Sequence, residues 1–197
     1  SEMNAKGQLN NRDKQLLFLF LANLDQMEEN YEGALANNLE ILKIPELNPE
    51  VIEQTWNQIA SLYYVLERYR DAIKAFDTLN EIALEPNDVI YIRLAYAYYQ
   101  LEEYANAIPP LMRNFELLRA QGEMIPKNSY GLLRALYLTL EDFPKAYQVV
   151  RESVILYNDP TDWILLAQLS AQLEKFADQA SLYYAAGAGG FLKSSND

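Results

Sequence analysis

One four-residue phrase, Leu-Glu-x-aromatic or a close variant, recurs along the chain and limits what it can fold into. It stands at Leu66-Glu67-Arg68-Tyr69, Leu101-Glu102-Glu103-Tyr104, Leu140-Glu141-Asp142-Phe143 and Leu173-Glu174-Lys175-Phe176, with a weaker copy at Glu28-Glu29-Asn30-Tyr31. The aromatics at 31, 69, 104, 143 and 176 are spaced by 38, 35, 39 and 33 residues. Alanine follows three residues after the first four of them, at Ala34, Ala72, Ala107 and Ala146. A large ring precedes each turn, at Phe18, Trp56, Tyr91, Tyr130 and Trp163. Such a period is one supersecondary unit that buries its apolar face only against its neighbours.

Repeat two reads Trp56, Ile59, Ala60, Tyr63, Tyr69, Ala72, Phe76, and repeat three reads Tyr91, Leu94, Ala95, Tyr98, Tyr104, Ala107. This order resembles the tetratricopeptide repeat, a helix–turn–helix unit of about 34 residues. The small residues have a steric purpose: two antiparallel helices approach closely where both offer only a methyl group, and rings fill the space beside the crossing. The resemblance implies an all-α, right-handed α-solenoid of about five helix–turn–helix repeats. Three positions depart from the pattern: Arg134 at a small position of repeat four, Gln179 at the alanine of repeat five, and Asp25 in place of the tyrosine of repeat one.

The periodicity predicts ten helices, over 12–28, 31–43, 50–66, 69–83, 88–101, 104–120, 127–140, 143–157, 160–174 and 176–187. Breakers fall between them: Pro45 and Pro49, Pro86-Asn87-Asp88, Gln121-Gly122 with Pro126, and Asn158-Asp159-Pro160. Asp142 is placed to cap the helix that starts at Phe143, with Pro144 in its first turn. Pro109-Pro110 falls inside a predicted helix and predicts a kink or a late start. No Gly/Ser linker interrupts the repeats, so the expected organisation is a single solenoid domain over 12–192 with frayed termini at 1–11 and 193–197.

Composition excludes several function classes. The 197 residues hold no cysteine and no histidine, which removes thiol and imidazole chemistry and every zinc site built on them. Sixteen bases against 28 acids give a net charge of −12, the reverse of a nucleic-acid binder's footprint. The longest apolar stretch, Leu16 to Ala22, is far short of the ~20 residues of a membrane span, so no insertion is expected. The first five residues, Ser1-Glu2-Met3-Asn4-Ala5, are polar and do not read as a signal peptide. No phosphate-binding loop, nucleophile elbow or dinucleotide fingerprint is present. Gly187-Ala188-Gly189-Gly190 reads as a helix stop, since no strand precedes it. Glu28-Glu29, Glu102-Glu103 and Glu141-Asp142 read as solvated turns, because a catalytic carboxylate pair needs a desolvated cleft. These readings predict a protein that is not an enzyme and needs no cofactor or metal.

In the resembled family the first helix of each repeat lines a concave face. Carried over by register, that face holds Gln54, Asn57, Gln58, Ser61, Tyr64 and Val65 in repeat two. Repeat three gives Val89, Ile92, Arg93, Tyr96, Tyr99 and Gln100, and repeat four gives Asn128, Gly131, Leu132, Ala135, Leu138 and Thr139. Arg93 is its one charge, in a chain that is 22% charged. Packing between repeats would explain part of that bias and a contact surface the rest. Arg93 alone cannot form a Lys/Asn carboxylate clamp. The candidate peptide groove is Asn57, Gln58, Tyr64, Ile92, Arg93, Tyr96 and Tyr99. Rings suit apolar or proline side chains, and amides suit a peptide backbone. The net charge favours a basic segment.

The C-terminal half has a narrower likeness. Gly131-Leu132-Leu133-Arg134-Ala135-Leu136-Tyr137, Asp142-Phe143-Pro144-Lys145-Ala146, Tyr157, Pro160, Trp163-Ile164-Leu165-Leu166-Ala167, Gln179-Ala180 and Gly190-Phe191-Leu192 carry it. They are similar to the periplasmic tetratricopeptide proteins encoded beside TonB–ExbB–ExbD transport systems. That family also has Gln where Gln179 stands; it differs in having Trp at Tyr130 and Tyr-Trp at Asp162-Trp163. The resemblance implies a periplasmic, non-catalytic scaffold, accessory to TonB-dependent uptake across the outer membrane. Its partner would be a protein or extended peptide of that system, and the natural protein would carry a signal sequence and more repeats upstream. The alternative is an architectural subunit, such as a secretion or pilus accessory, whose repeats build an oligomer.

Overall fold

The computed structural model describes residues 9–83 and 87–173. Among them are nine helices and no strand: α1 (Asn11–Met27), α2 (Tyr31–Ile41), α3 (Pro49–Val65), α4 (Tyr69–Ile82), α5 (Asp88–Gln100), α6 (Tyr104–Gln121), α7 (Lys127–Thr139), α8 (Phe143–Tyr157) and α9 (Pro160–Gln172). The tenth predicted helix, Gln179, Pro86 and the Gly187–Gly190 run lie outside the described residues. Each turn aromatic at 31, 69, 104 and 143 is the first residue of a helix.

The recurring phrase owes its form to the way the first helices end. At the α3 end, Arg68 N–H donates to the Tyr63 carbonyl (2.9 Å) and Glu67 N–H to the Tyr64 carbonyl (3.0 Å). That pair of bonds is the Schellman motif, and it requires a left-handed residue just past the helix. Glu67 supplies it with φ 57°. Glu29 (φ 58°), Glu102 (φ 59°) and Glu141 (φ 56°) do the same at their turns. Glycine would adopt this backbone freely, and it does so at Gly122 after α6 (φ 72°). The next residue opens the following helix: Asn30 accepts from Gly33 N–H and Asp142 from Lys145 N–H, satisfying backbone donors with no partner inside the helix.

Pro109 and Pro110 lie inside α6, which nonetheless begins at Tyr104. The late start is therefore not observed, and the helix forms without two of its backbone donors.

The chain packs as two compact units, residues 1–103 and 104–197. In the first, α1 pairs with α2, α3 with α4, and α4 with α5. Ala34, Ala60 and Ala72 are fully buried there, around Ile59, Phe76 and Leu79. Where repeat one lacks its tyrosine, Asp25 substitutes hydrogen bonds for a ring, accepting from Asn30 Nδ2 and Asn37 Nδ2 at 2.7 Å each. In the second unit α7 packs on α6 and α8, and α8 on α9. Tyr130, Phe115, Leu111, Leu136, Val150 and Leu166 form its centre.

Arg134 occupies the small position held elsewhere by Ala60, Ala95 and Ala167, each 0% exposed. Its guanidinium bonds to Asp162 Oδ1 on α9, and Ser153 on α8 donates to Asp162 Oδ2 at 2.7 Å. A buried ion pair thus ties three helices where the other repeats use a methyl contact.

Candidate functional site

The predicted groove residues all lie on α3 and α5, in the first unit. Their helices begin where the chain supplies caps. Asn48 accepts from Glu50 N–H before Pro49 starts α3, and Asn87 accepts from Val89 N–H before α5. Both helices present residues four apart, Ser61 and Val65 beside Asn57, and Tyr96 beside Ile92, on one side.

Tyr64, Arg93 and Tyr96 come together. With Ser61, Val65 and Phe76 they line a mostly apolar cavity of about 260 Å³. Arg93 reaches across from α5 to α3: its Nη1 donates to Ser61 Oγ (2.8 Å) and to Asn57 Oδ1 (3.4 Å). The cation is half-buried and braces the two helices, while a guanidinium's five N–H donors leave others for a ligand. The Tyr64 ring meets Tyr69 edge-on, with centroids 5.3 Å apart. Burial pushes the hydroxyls of Tyr69 and Tyr98 above their ordinary values, with Glu67 and Asp77 adding to it, so both remain protonated donors.

The other predicted residues are less convergent. Asn57 joins the cavity only through Arg93. Gln58 belongs to a second pocket of about 130 Å³ with Leu19, Asn23 and Gln26 of α1, and its Oε1 accepts from Gln26 Nε2 at 3.5 Å. Ile92 is half-buried, and Tyr99 is exposed near the end of α5; neither lines these cavities. Sequence reasoning missed Phe76, which comes from a second helix. The register could have found it, since Phe76 stands seven residues after the turn aromatic Tyr69.

The site carries a ring-lined hollow, amides and one braced cation. No cluster of three metal-ligating side chains occurs among the described residues. No helix among them is long and apolar enough to cross a membrane.

No family model matches the chain, and no curated protein matches it. Solved structures do. MamA (residues 41 to the end) from Desulfovibrio magneticus RS-1 is similar at 18% identity, covering 89% of this chain and 94% of that one, with a TM-score of 0.62. A second MamA structure gives 15% identity, 88% and 90% coverage and a TM-score of 0.66. BtubC from P. vanneervenii gives 19% identity, 94% and 85% coverage and a TM-score of 0.60. At these identities the likeness shows the fold: an all-α, tetratricopeptide-like helical repeat.

Proposed function

We propose that the chain is a non-catalytic scaffold whose first-helix face in the 1–103 unit holds an extended, basic, proline-containing peptide. The observation that carries this reading is the convergence of Tyr64, Tyr96 and the braced Arg93 on one apolar hollow. Rings hold proline or aliphatic side chains, the Arg93 guanidinium keeps N–H donors for a peptide carbonyl, and the −12 net charge draws a basic segment. The C-terminal resemblance extends the proposal to a periplasmic accessory of TonB-dependent uptake, with a Pro/Lys-rich segment of that system as the ligand.

The test is titration of a Pro/Lys-rich synthetic peptide. Tyr64→Ala or Tyr96→Ala should weaken binding by ~2 kcal/mol, as loss of a hot-spot ring does, with helical content unchanged. Raising salt from about 50 to about 500 mM should slow association, because screening shortens the reach of the charge. Unfolding by either substitution, wild-type binding by both, or a salt-independent rate would defeat the reading.

A second reading, an oligomer-building subunit, draws support from α1. Leu16 (57% exposed), Phe20 (64%), Leu24 (40%) and Met27 (84%) form an open apolar row, and such rows mark association surfaces. Mass in solution separates the two: a monomer supports peptide binding, and a stable oligomer that loses its partner with Phe20→Glu supports assembly.

A further inference from the structure

A larger hollow lies within the 104–197 unit, and it does not depend on the peptide reading. It is a trough of about 530 Å³ between α6 and α8, with α7 as its floor. Met112 and Ile155 offer it accessible apolar surface, above the buried side chains of Phe115, Tyr130, Leu133 and Tyr137. Phe115 and Tyr130 pack edge to face, centroids 5.0 Å apart, which fixes the ring surface.

The rim reverses the charge of the chain. Of twelve lining residues three are basic, Arg119, Lys145 and Arg151, and one is acidic, Glu152. The whole sequence holds 16 bases and 28 acids. Two of the cations are held in place over rings. Arg119 sits with its guanidinium carbon 5.7 Å from the Phe115 centroid, and Lys145 Nζ lies 5.4 Å from that of Tyr137. Glu152 orients the first: its Oε1 takes Arg119 Nη2 at 2.5 Å and the Tyr130 hydroxyl at 2.7 Å. Arg151, exposed on α8, has no ion-pair partner among the described residues.

An apolar hollow with positioned cations at its edge has the chemistry of one ligand class. We propose that this trough binds a small organic acid: an aromatic or apolar body seated against Met112 and Ile155, with one acid group held by Arg119 and Arg151. The volume falls within the ~300–1,000 Å³ of small-molecule sites. Charge-assisted bonds from guanidinium to carboxylate supply orientation. A peptide is the poorer occupant, because Gln148 is the one amide side chain in the lining and helices offer no free backbone to pair with.

Phenylbutyrate is a suitable probe, with phenylbutanamide and phenylbutylamine as its neutral and cationic counterparts. Methyl-labelled methionine gives the readout in NMR, since Met112 lines the trough and Met27 lies on α1 in the other unit. Phenylbutyrate should shift the Met112 resonance and leave Met27 unmoved. The amide should bind about tenfold more weakly and the amine not at all, the difference made by a charge-assisted pair. Arg151→Gln, on an exposed site that cannot threaten folding, should weaken the acid several-fold and leave the amide unchanged. Equal binding of acid and amide, or a Met112 resonance unmoved at about 10 mM probe, overturns the proposal. A peptide ending in phenylalanine that bound far more tightly than phenylbutyrate would overturn the assignment to a small acid.

Discussion

Removing Arg134 should cost more than removing Asp162, although the two share one ion pair. Asp162 is 3% exposed, and its two oxygens are taken by Arg134 and by Ser153 at 2.7 Å. Arg134→Ala leaves a buried carboxylate with one hydroxyl donor, and an orphaned charge of this kind costs roughly 3–5 kcal/mol. Asp162→Ala leaves the guanidinium instead, whose side chain is 28% exposed and can turn to water. Its cost falls lower, at about 2–3 kcal/mol, the loss of the one buried bond from Ser153 to a charged group, because the freed guanidinium regains its bonds from water. The double variant strands neither charge and restores the alanine that Ala60 and Ala95 provide in other repeats. It should cost about 2–3 kcal/mol, well below the sum of the singles, with a coupling of at least ~2 kcal/mol. Urea unfolding followed by far-UV circular dichroism on the four proteins measures all of this. Additive costs, or an Arg134→Ala protein as stable as wild type, would refute the claim that the pair is buried and shared by three helices.

Three further outcomes follow from the turns and the core. Glu102→Gly should raise stability by about 0.5–1 kcal/mol, because relief of a left-handed side-chain clash of roughly 1–2 kcal/mol exceeds glycine's entropic cost; a lower melting temperature would contradict the turn geometry. Ala72, 0% exposed at a helix crossing, should lose ~1–3 kcal/mol on change to Leu, and a neutral result in urea titration would mean the crossing is not close. Hydrogen bonding to Lys127 holds the Asp159 carboxyl at about 2, below its ordinary 3.8. Its contribution is therefore complete above the unfolded value and is lost as pH falls through the folded one. Asp159→Asn should retain the helix cap but flatten the part of the acid stability slope between about pH 4 and 2 that this carboxyl supplies; an unchanged difference from wild type across that window would count against the pair.

Side-chain size made most of the fold legible. Where alanines and rings alternate at fixed offsets, only one helix crossing accommodates them, so each of the nine described helices begins within a residue of its expected start. What escaped depends on partners distant in sequence. Arg134 looks like a blemish until α9 brings Asp162 beside it, 28 residues on. The glutamates of the turns read as solvated charge, because nothing in a Glu side chain announces a left-handed backbone. Of the candidate groove, Tyr64, Arg93 and Tyr96 converge as the register implies, whereas Gln58 turns toward α1, whose own amide Gln26 meets it. The trough on α6, α7 and α8 was invisible for another reason. Its cations sit on second helices, where an isolated sequence shows only an amphipathic outer face, and juxtaposition alone makes them a set.

The buried tyrosine hydroxyls bear on how this molecule meets its surroundings. With no histidine or cysteine, no side chain has its ordinary pKa between about 5 and 9. Burial lifts the hydroxyls of Tyr69, Tyr98, Tyr130 and Tyr137 further above that interval. The side-chain charge therefore changes little across the neutral range, Asp77 apart, whose carboxyl is raised toward it by burial and by Glu81. Ionic strength becomes the external variable that tunes its long-range attraction, so a charged partner would meet nearly the same field on either side of neutrality.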